Sequence, residues 1–285
     1  MVKTVFMKVK SAQEMLHRCG TIQNSWRELA KWYQTPLGQT LLEVEKQQLD
    51  EILPSLFGYH LIQVGDIGSD SLLDASRISN CCVMDIEAGG DAHPANGPRF
   101  AGLPHALPLA SESVDVVLLP HTLEFSPQPH AVLREVDRVL VPEGHLVMMM
   151  FNPWSLWQLQ SLFLGWRQTP PWCGHFISTT RTRDWLALLG FNVKRCERYF
   201  YRPPSQAHKL MSRLDWLEKF GRAFWPIFGG SYILTARKRV ETLTPIRPIW
   251  KTRKRVVAAG LVESMQPHSN NIIHLQRYRK LNGQG

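Results

Sequence analysis

The chain has 285 residues, 44% of them hydrophobic, with a formal net charge of +9. That is enough apolar material for a full core, in one large domain with additions or in two. Five scattered cysteines, Cys19, Cys81, Cys82, Cys173 and Cys196, form no C-x-x-C pair, and no H-E-x-x-H spacing occurs, so composition argues against metal chemistry and for a reducing compartment.

Basicity belongs to the end of the chain. From Arg237 to Gly285 there are eleven Lys and Arg against two Asp and Glu, which leaves 22 of each sign in the body. The N-terminal MVKTVFMKVK is basic but lacks the apolar core and cleavage site of a signal peptide. An uncharged run of 21 residues, Leu146 to Trp166, compares with ~20 for a membrane span. It contains Asn152-Pro153, Gln158 and Gln160, so it reads as a soluble strand-turn-helix. The expected location is the cytoplasm.

In chain order, TIQNSWRELAKWYQ predicts a short helix with Trp26, Leu29, Ala30 and Tyr33 near one face. TPLGQTLLEVEKQQLDEILPSLFG predicts a second, with Thr35 as N-cap, Pro36 at the first helical position and Gly58 as stop. HLIQVG, CCVMDI and SVDVVLLP read as buried strands, and SDSLL after the first of them could open a helix. PHAVLREVDRVLVPEG reads as a helix with a stripe of Val132, Leu133, Val136, Val139 and Leu140, stopped by Pro142 and Gly144. HLVMMMF is a strand, RTRDWLALLG a helix closed by Gly190, and FNVKRCERYFY and SYILTARKR are two more strand-like runs. Strands alternating with helices predict parallel pairing in a doubly wound α/β sheet.

In such a sheet, ligands sit at the carboxyl ends of the strands. Glycine after the first strand lets backbone approach a ligand, and Gly65 and Gly68 stand there. An acid at the end of the second strand can accept both ribose hydroxyls, and Asp85 lies 22 residues after Gln63. The glycines do not complete G-x-G-x-x-G.

The stretch LPHALPLASESVDVVLLPHTLEFSPQPHAVLREVDRVLVPEGHLVMMMFNP decides the resemblance. It resembles class I S-adenosylmethionine-dependent methyltransferases of the type 11 group, which includes the ubiquinone and menaquinone biosynthesis C-methyltransferases. LPHTLEFS and FNPWSLW are similar to a little-characterised bacterial subgroup. The resemblance runs from Gln63 to Asn152, with WYQTPLGQ matching a lead-in helix. It implies a Rossmann-like, mostly parallel sheet with the last strand antiparallel, N-terminal helices and a basic C-terminal extension. The implied division is a helical lead-in at 1–58 and a methyltransferase domain at 59–239. Aromatic insertions fall at about 152–176 and 202–230, and a flexible extension follows at 240–285.

The resemblance implies S-adenosylmethionine as cofactor. Gly65 matches the first glycine of the family's acid-x-G-x-G-x-G turn, Gln63 the acid, Ile67 the second glycine and Ser69 the third, with Gly68 displaced by one. Asp85 matches the ribose-binding acid, and Ile86, Pro104 and Leu119 fall in the implied pocket. Leu103 stands at the position of an acid near the adenine, and Asp66 could supply a carboxylate beside the turn. His121 matches a histidine at the methyl-donor end. It is the candidate base, the alternative being an imidazole packed at the strand end on a backbone carbonyl. Tyr33 could close over the cofactor or simply pack. Methyl transfer itself needs alignment and exclusion of water more than side-chain chemistry.

Trp154, Trp157, Trp166 and Trp172 suggest a lid or interfacial helix for a lipophilic small-molecule acceptor, or else an ordinary packed helix. His175 and Arg181 could orient that acceptor. KTRKR and HLQRYRK, with Tyr278, allow peripheral membrane or nucleic-acid contact through the tail. The leading expectation is methyl transfer to a small, lipophilic acceptor. The alternatives are an RNA methyltransferase and a non-catalytic protein that keeps the fold. Oligomeric state is not legible.

Overall fold

The computed structural model describes residues 22–68, 70–86, 98–155, 157–158, 172–202, 221, 225 and 227–239. The basic extension with Tyr278, Cys19, Trp166 and most of both aromatic insertions lie outside the described residues.

Among the described residues two helices come first, α1 (Ile22–Tyr33) and α2 (Pro36–Ile52). Thr35 caps α2 as its position predicts: it is extended at φ −74°, ψ 157°, and its side chain accepts a hydrogen bond from Gly38 N. The buried stripe of α2 is Leu37, Gly38, Leu41, Glu45, Gln48, Leu49 and Ile52. Gly38 lets the two helices meet closely, since a Cβ there would run into the carbonyl of Trp32 and the Cα of Tyr33.

The strands are β1 (His60–Val64), β2 (Asn80–Asp85), β3 (Arg99–Ala101), β4 (Val114–Pro120), β5 (Leu140–Phe151), β6 (Phe191–Tyr199) and β7 (Ser231–Lys238). Between them lie α3 (Thr122–Phe125), α4 (Pro129–Val139) and α5 (Thr179–Leu188). One seven-stranded sheet runs β3-β2-β1-β4-β5-β7-β6. The first five strands in this order pair in parallel, while β7 is antiparallel to both β5 and β6. Chain order reverses between β1 and β4, so the crevice outside their carboxyl ends is the place such sheets keep for a ligand. At the opposite end of the sheet Asp115 ties β1 to β4, its carboxylate accepting from the backbone N–H of Tyr59 at 2.8 Å and of His60 at 2.9 Å.

Two local expectations change. After β1, SDSLL forms only a single tight turn, Asp70–Leu73, and no α-helix. Leu72 and Leu73 are followed by Asp74, Ala75 and Ser76, leaving too short an apolar stripe to hold a helix on the sheet. The helix expected to run to Gly144 stops at Val139, and residues from Leu140 onward are already strand. Pro142 keeps Val141 out of the helical region, and a register shift between Val114 and Val116 absorbs the irregular start of β5. Cys173 is disulfide-bonded, while Cys81, Cys82 and Cys196 are free. No described helix is long and apolar enough to cross a membrane.

Candidate functional site

The turn after β1 leaves the sheet with Gly65 at φ +96° and Gly68 at φ +79°, both in the left-handed region where glycine is at ease. Gly65 N donates to Met84 O at 2.9 Å, which sets the turn beside the end of β2. Thr122 Oγ1 donates to Val64 O at 2.7 Å and ties the same place to the end of β4.

The turn's polar side chains are committed to the turn. Buried Gln63 donates from Nε2 to Gly65 O at 2.9 Å. A side chain that matches an acid of the family therefore works here as a donor. Asp66 Oδ1 accepts from Gly68 N at 2.7 Å, and Oδ2 pairs with Arg99 Nη1 at 2.5 Å. Changing Gln63 to glutamate would set a carboxylate against a carbonyl oxygen. Urea unfolding at pH 8 should show a loss of about 1–3 kcal/mol for that variant.

Asp85 is half-buried at the end of β2, with Ile86 buried beside it. Asp85 O accepts from Gly102 N at 2.9 Å, bringing the following loop alongside. In that loop Leu103 is exposed and Pro104 buried, and Leu119 is buried inside β4. Gln63, Gly65, Asp66, Gly68, Asp85 and Ile86 thus gather at one edge of the sheet.

α1 covers this edge. Trp26, 4% exposed, lies on Gly65, so that a Cβ on the glycine would stand 2.7 Å from Trp26 Cη2. The indole also lies near Phe125 of α3, with ring centroids 6.1 Å apart. Trp26 Nε1 finds no hydrogen-bond partner among the described residues. Farther along the same side, Gln34 Nε2 reaches Gly68 O at 3.4 Å. The crevice between the ends of β1 and β4 therefore holds an indole.

His121 begins the turn after β4 in a left-handed conformation, φ 53°. Its Nε2 lies 2.9 Å from Glu45 Oε1 and its Nδ1 3.4 Å from Glu124 Oε1. Glu45 also accepts from the phenols of Tyr33, at 3.0 Å, and Tyr199, at 3.3 Å. Glu124 Oε1 takes the backbone N–H of Phe151, whose ring stacks on the imidazole with centroids 4.0 Å apart. The side chains of His121, Glu45 and Glu124 are fully buried. Burial alone would push the imidazole down, but the two carboxylates reverse this and hold it at about 9. The phenols of Tyr33 and Tyr199 are pushed well above their usual range by burial first and by Glu45 second. His121 is thus an imidazolium at neutral pH with both nitrogens facing carboxylates. A base at this place requires the cluster to open first.

Glu45 and Tyr199 escape a reading of the sequence for chemistry. Glu45 does carry a signal, because it occupies a core position of the α2 stripe, where an unpaired charge is rarely tolerated. Tyr199 carries none. Among the acceptor-side candidates, His175 N donates to Glu124 O at 2.8 Å, and Arg181 lies over the Trp185 ring at 5.3 Å.

Residues 71–148 match the family model described as a methyltransferase domain. The uncharacterised protein YafS of Escherichia coli K12 is 30% identical over 225 residues, covering 79% of this chain and 86% of that one. An uncharacterised methyltransferase of Mycobacterium bovis is 27% identical over 161 residues, 54% of this chain and 63% of that one. Two solved structures share the fold at low identity. One is an S-adenosylmethionine-dependent methyltransferase of Thermotoga maritima, described as a possible histamine N-methyltransferase (TM-score 0.54, 16% identity, 79% of this chain, 100% of that one). The other is a putative methyltransferase of Haloferax volcanii in complex with the Trm112 activator (TM-score 0.52, 15% identity, 75% and 98%). The chain belongs to the class I S-adenosylmethionine-dependent methyltransferases. S-adenosylmethionine is the cofactor that membership implies.

The two halves of the site differ in their fit to that cofactor. At the end of β2, Asp85 has the charge and the position for a ribose diol. At the end of β1 the backbone that would receive the rest lies under Trp26.

Proposed function

We propose that the chain methylates a small, lipophilic acceptor that docks at the carboxyl edge of the sheet. The observation that carries this reading is an apolar surface beside the end of β5. Trp154 is 67% exposed there, and Trp225, Ile227 and Phe228 are also exposed. Asn152 holds the group together, donating from Nδ2 to Ile227 O at 2.7 Å and to Gly229 O at 2.9 Å. Large aromatic side chains left in water in one place mark contact with something apolar. Phe151, at the end of the same strand, stacks on His121, so this surface and the buried cluster flank the same strand end.

In this reading Asp85 binds the cofactor ribose, and the chain contributes alignment and a dry site. Asp85→Ala removes charge-assisted hydrogen bonds worth about 1.5–3 kcal/mol, so calorimetric affinity for S-adenosylmethionine should fall about tenfold or more. The function itself is tested by incubating the full chain with methyl-labelled S-adenosylmethionine and either a bacterial lipid extract or the aqueous fraction. Label entering the lipid fraction supports the reading, and label entering only the aqueous fraction sinks the lipophilic acceptor. A second reading, a methyltransferase fold kept for a non-catalytic task, is favoured by the indole in the crevice. Binding of cofactor without label transfer to either fraction would support it.

A further inference from the structure

The crevice that the sheet provides for a ligand is filled by the chain's own side chain, and the details of that filling point to a temporary occupant. Trp26 touches Gly65 on one side and Phe125 on the other. An indole that belongs permanently to a core normally brings its N–H to an acceptor. Here Nε1 is buried and finds no acceptor among the described residues, as is also the case for Trp32 Nε1 on the same helix, so water outside the crevice would offer it a hydrogen bond.

The two ends of α1 are held unequally. At its C-terminal end Tyr33 donates to Glu45, which is anchored in turn by His121 and Tyr199. Around residue 26 the indole rests by packing on Gly65 and Phe125. A helix of 12 residues is also marginal without tertiary contacts. The end able to leave the sheet is therefore the end that carries Trp26.

We propose that Trp26 is a built-in occupant of the cofactor crevice, so that S-adenosylmethionine and the N-terminal half of α1 exclude one another there. The proposal rests on the methyltransferase reading and deepens it: Trp26 sets the affinity of the site. The protein binds cofactor only from the fraction of molecules in which the indole is out, and apparent affinity is reduced by that fraction.

The test uses the full chain. Binding of S-adenosylmethionine and S-adenosylhomocysteine is measured by calorimetry for the wild type, Trp26→Ala and Trp26→Phe. Hydrogen exchange across residues 22–33 of the wild type is followed with and without saturating S-adenosylhomocysteine. If the open fraction is a tenth or less, Trp26→Ala binds about tenfold tighter or more. Trp26→Phe shifts in the same direction by less, and exchange in 22–33 speeds up when ligand binds. If the wild type binds while Trp26→Ala binds equally or more weakly, the proposal fails and the methyltransferase reading stands. Should Trp26→Ala not fold, Trp26→Phe and the wild-type exchange decide: slower exchange in 22–33 on binding would make α1 a wall of the bound site and overturn the proposal. If no folded variant binds either compound, the cofactor reading falls, and this one with it.

Discussion

Replacing Glu45 with alanine should lower the unfolding free energy by about 3–5 kcal/mol, the range for breaking a buried ion pair from one side. The loss is large because one carboxylate serves three donors from three other parts of the fold: Tyr33 of α1, His121 after β4 and Tyr199 of β6. Without it the imidazolium keeps only Glu124, at 3.4 Å, and two buried phenols lose their acceptor. Glu45→Gln keeps an acceptor oxygen and the side-chain volume, so it should cost less than alanine. Urea unfolding with an unchanged m-value would register both effects. A loss below about 1 kcal/mol for the alanine variant would mean that the cluster does not hold α2 to the sheet.

Stability should also decline with rising pH over a window set by His121. Its folded value of about 9 lies above the ordinary 6.5, so the folded state keeps a proton that the unfolded chain releases. The contribution is complete below about 6.5 and lost as pH rises through about 9, and it amounts to about 3 kcal/mol. Glu45 and Glu124 cause the upward shift against burial, and the neighbouring phenols, raised well above their usual range, stay protonated through this window. Denaturation midpoints taken between pH 6.5 and 9.5 should fall in the wild type and flatten in His121→Gln. An equal slope in both would place the titration elsewhere.

Much of the sheet was legible because β1, β2, β4 and the second half of β5 are short apolar runs bounded by polar or turn residues, and the α4 stripe follows the helical period. β3 was not legible: Arg99–Ala101 is three residues long and shows no alternation. The site was readable in its backbone and much less so in its side chains. Gly65, Gly68 and Asp85 are placed by strand ends, which local patterns reveal. The direction of Asp66 depends on Arg99, 33 residues away. The face of α1 was visible as Trp26, Leu29, Ala30 and Tyr33, yet nothing local says that Trp26 meets Gly65. Glu45 stands within an apolar stripe, and nothing local says which donors it meets.

The span of the Glu45 contacts has a consequence for the order in which the molecule is made. Its acceptor oxygens wait for His121, 76 residues downstream, and for Tyr199, 154 residues downstream. Synthesis at roughly 5–20 residues per second leaves α2 carrying an unsatisfied carboxylate on its apolar face for many seconds. Through that time α1 and α2 have no finished surface to rest on, and closing so long a loop is slow. These two early helices are thus among the last described elements to be secured, and a ribosome-bound chain ending before β6 should leave them open to protease.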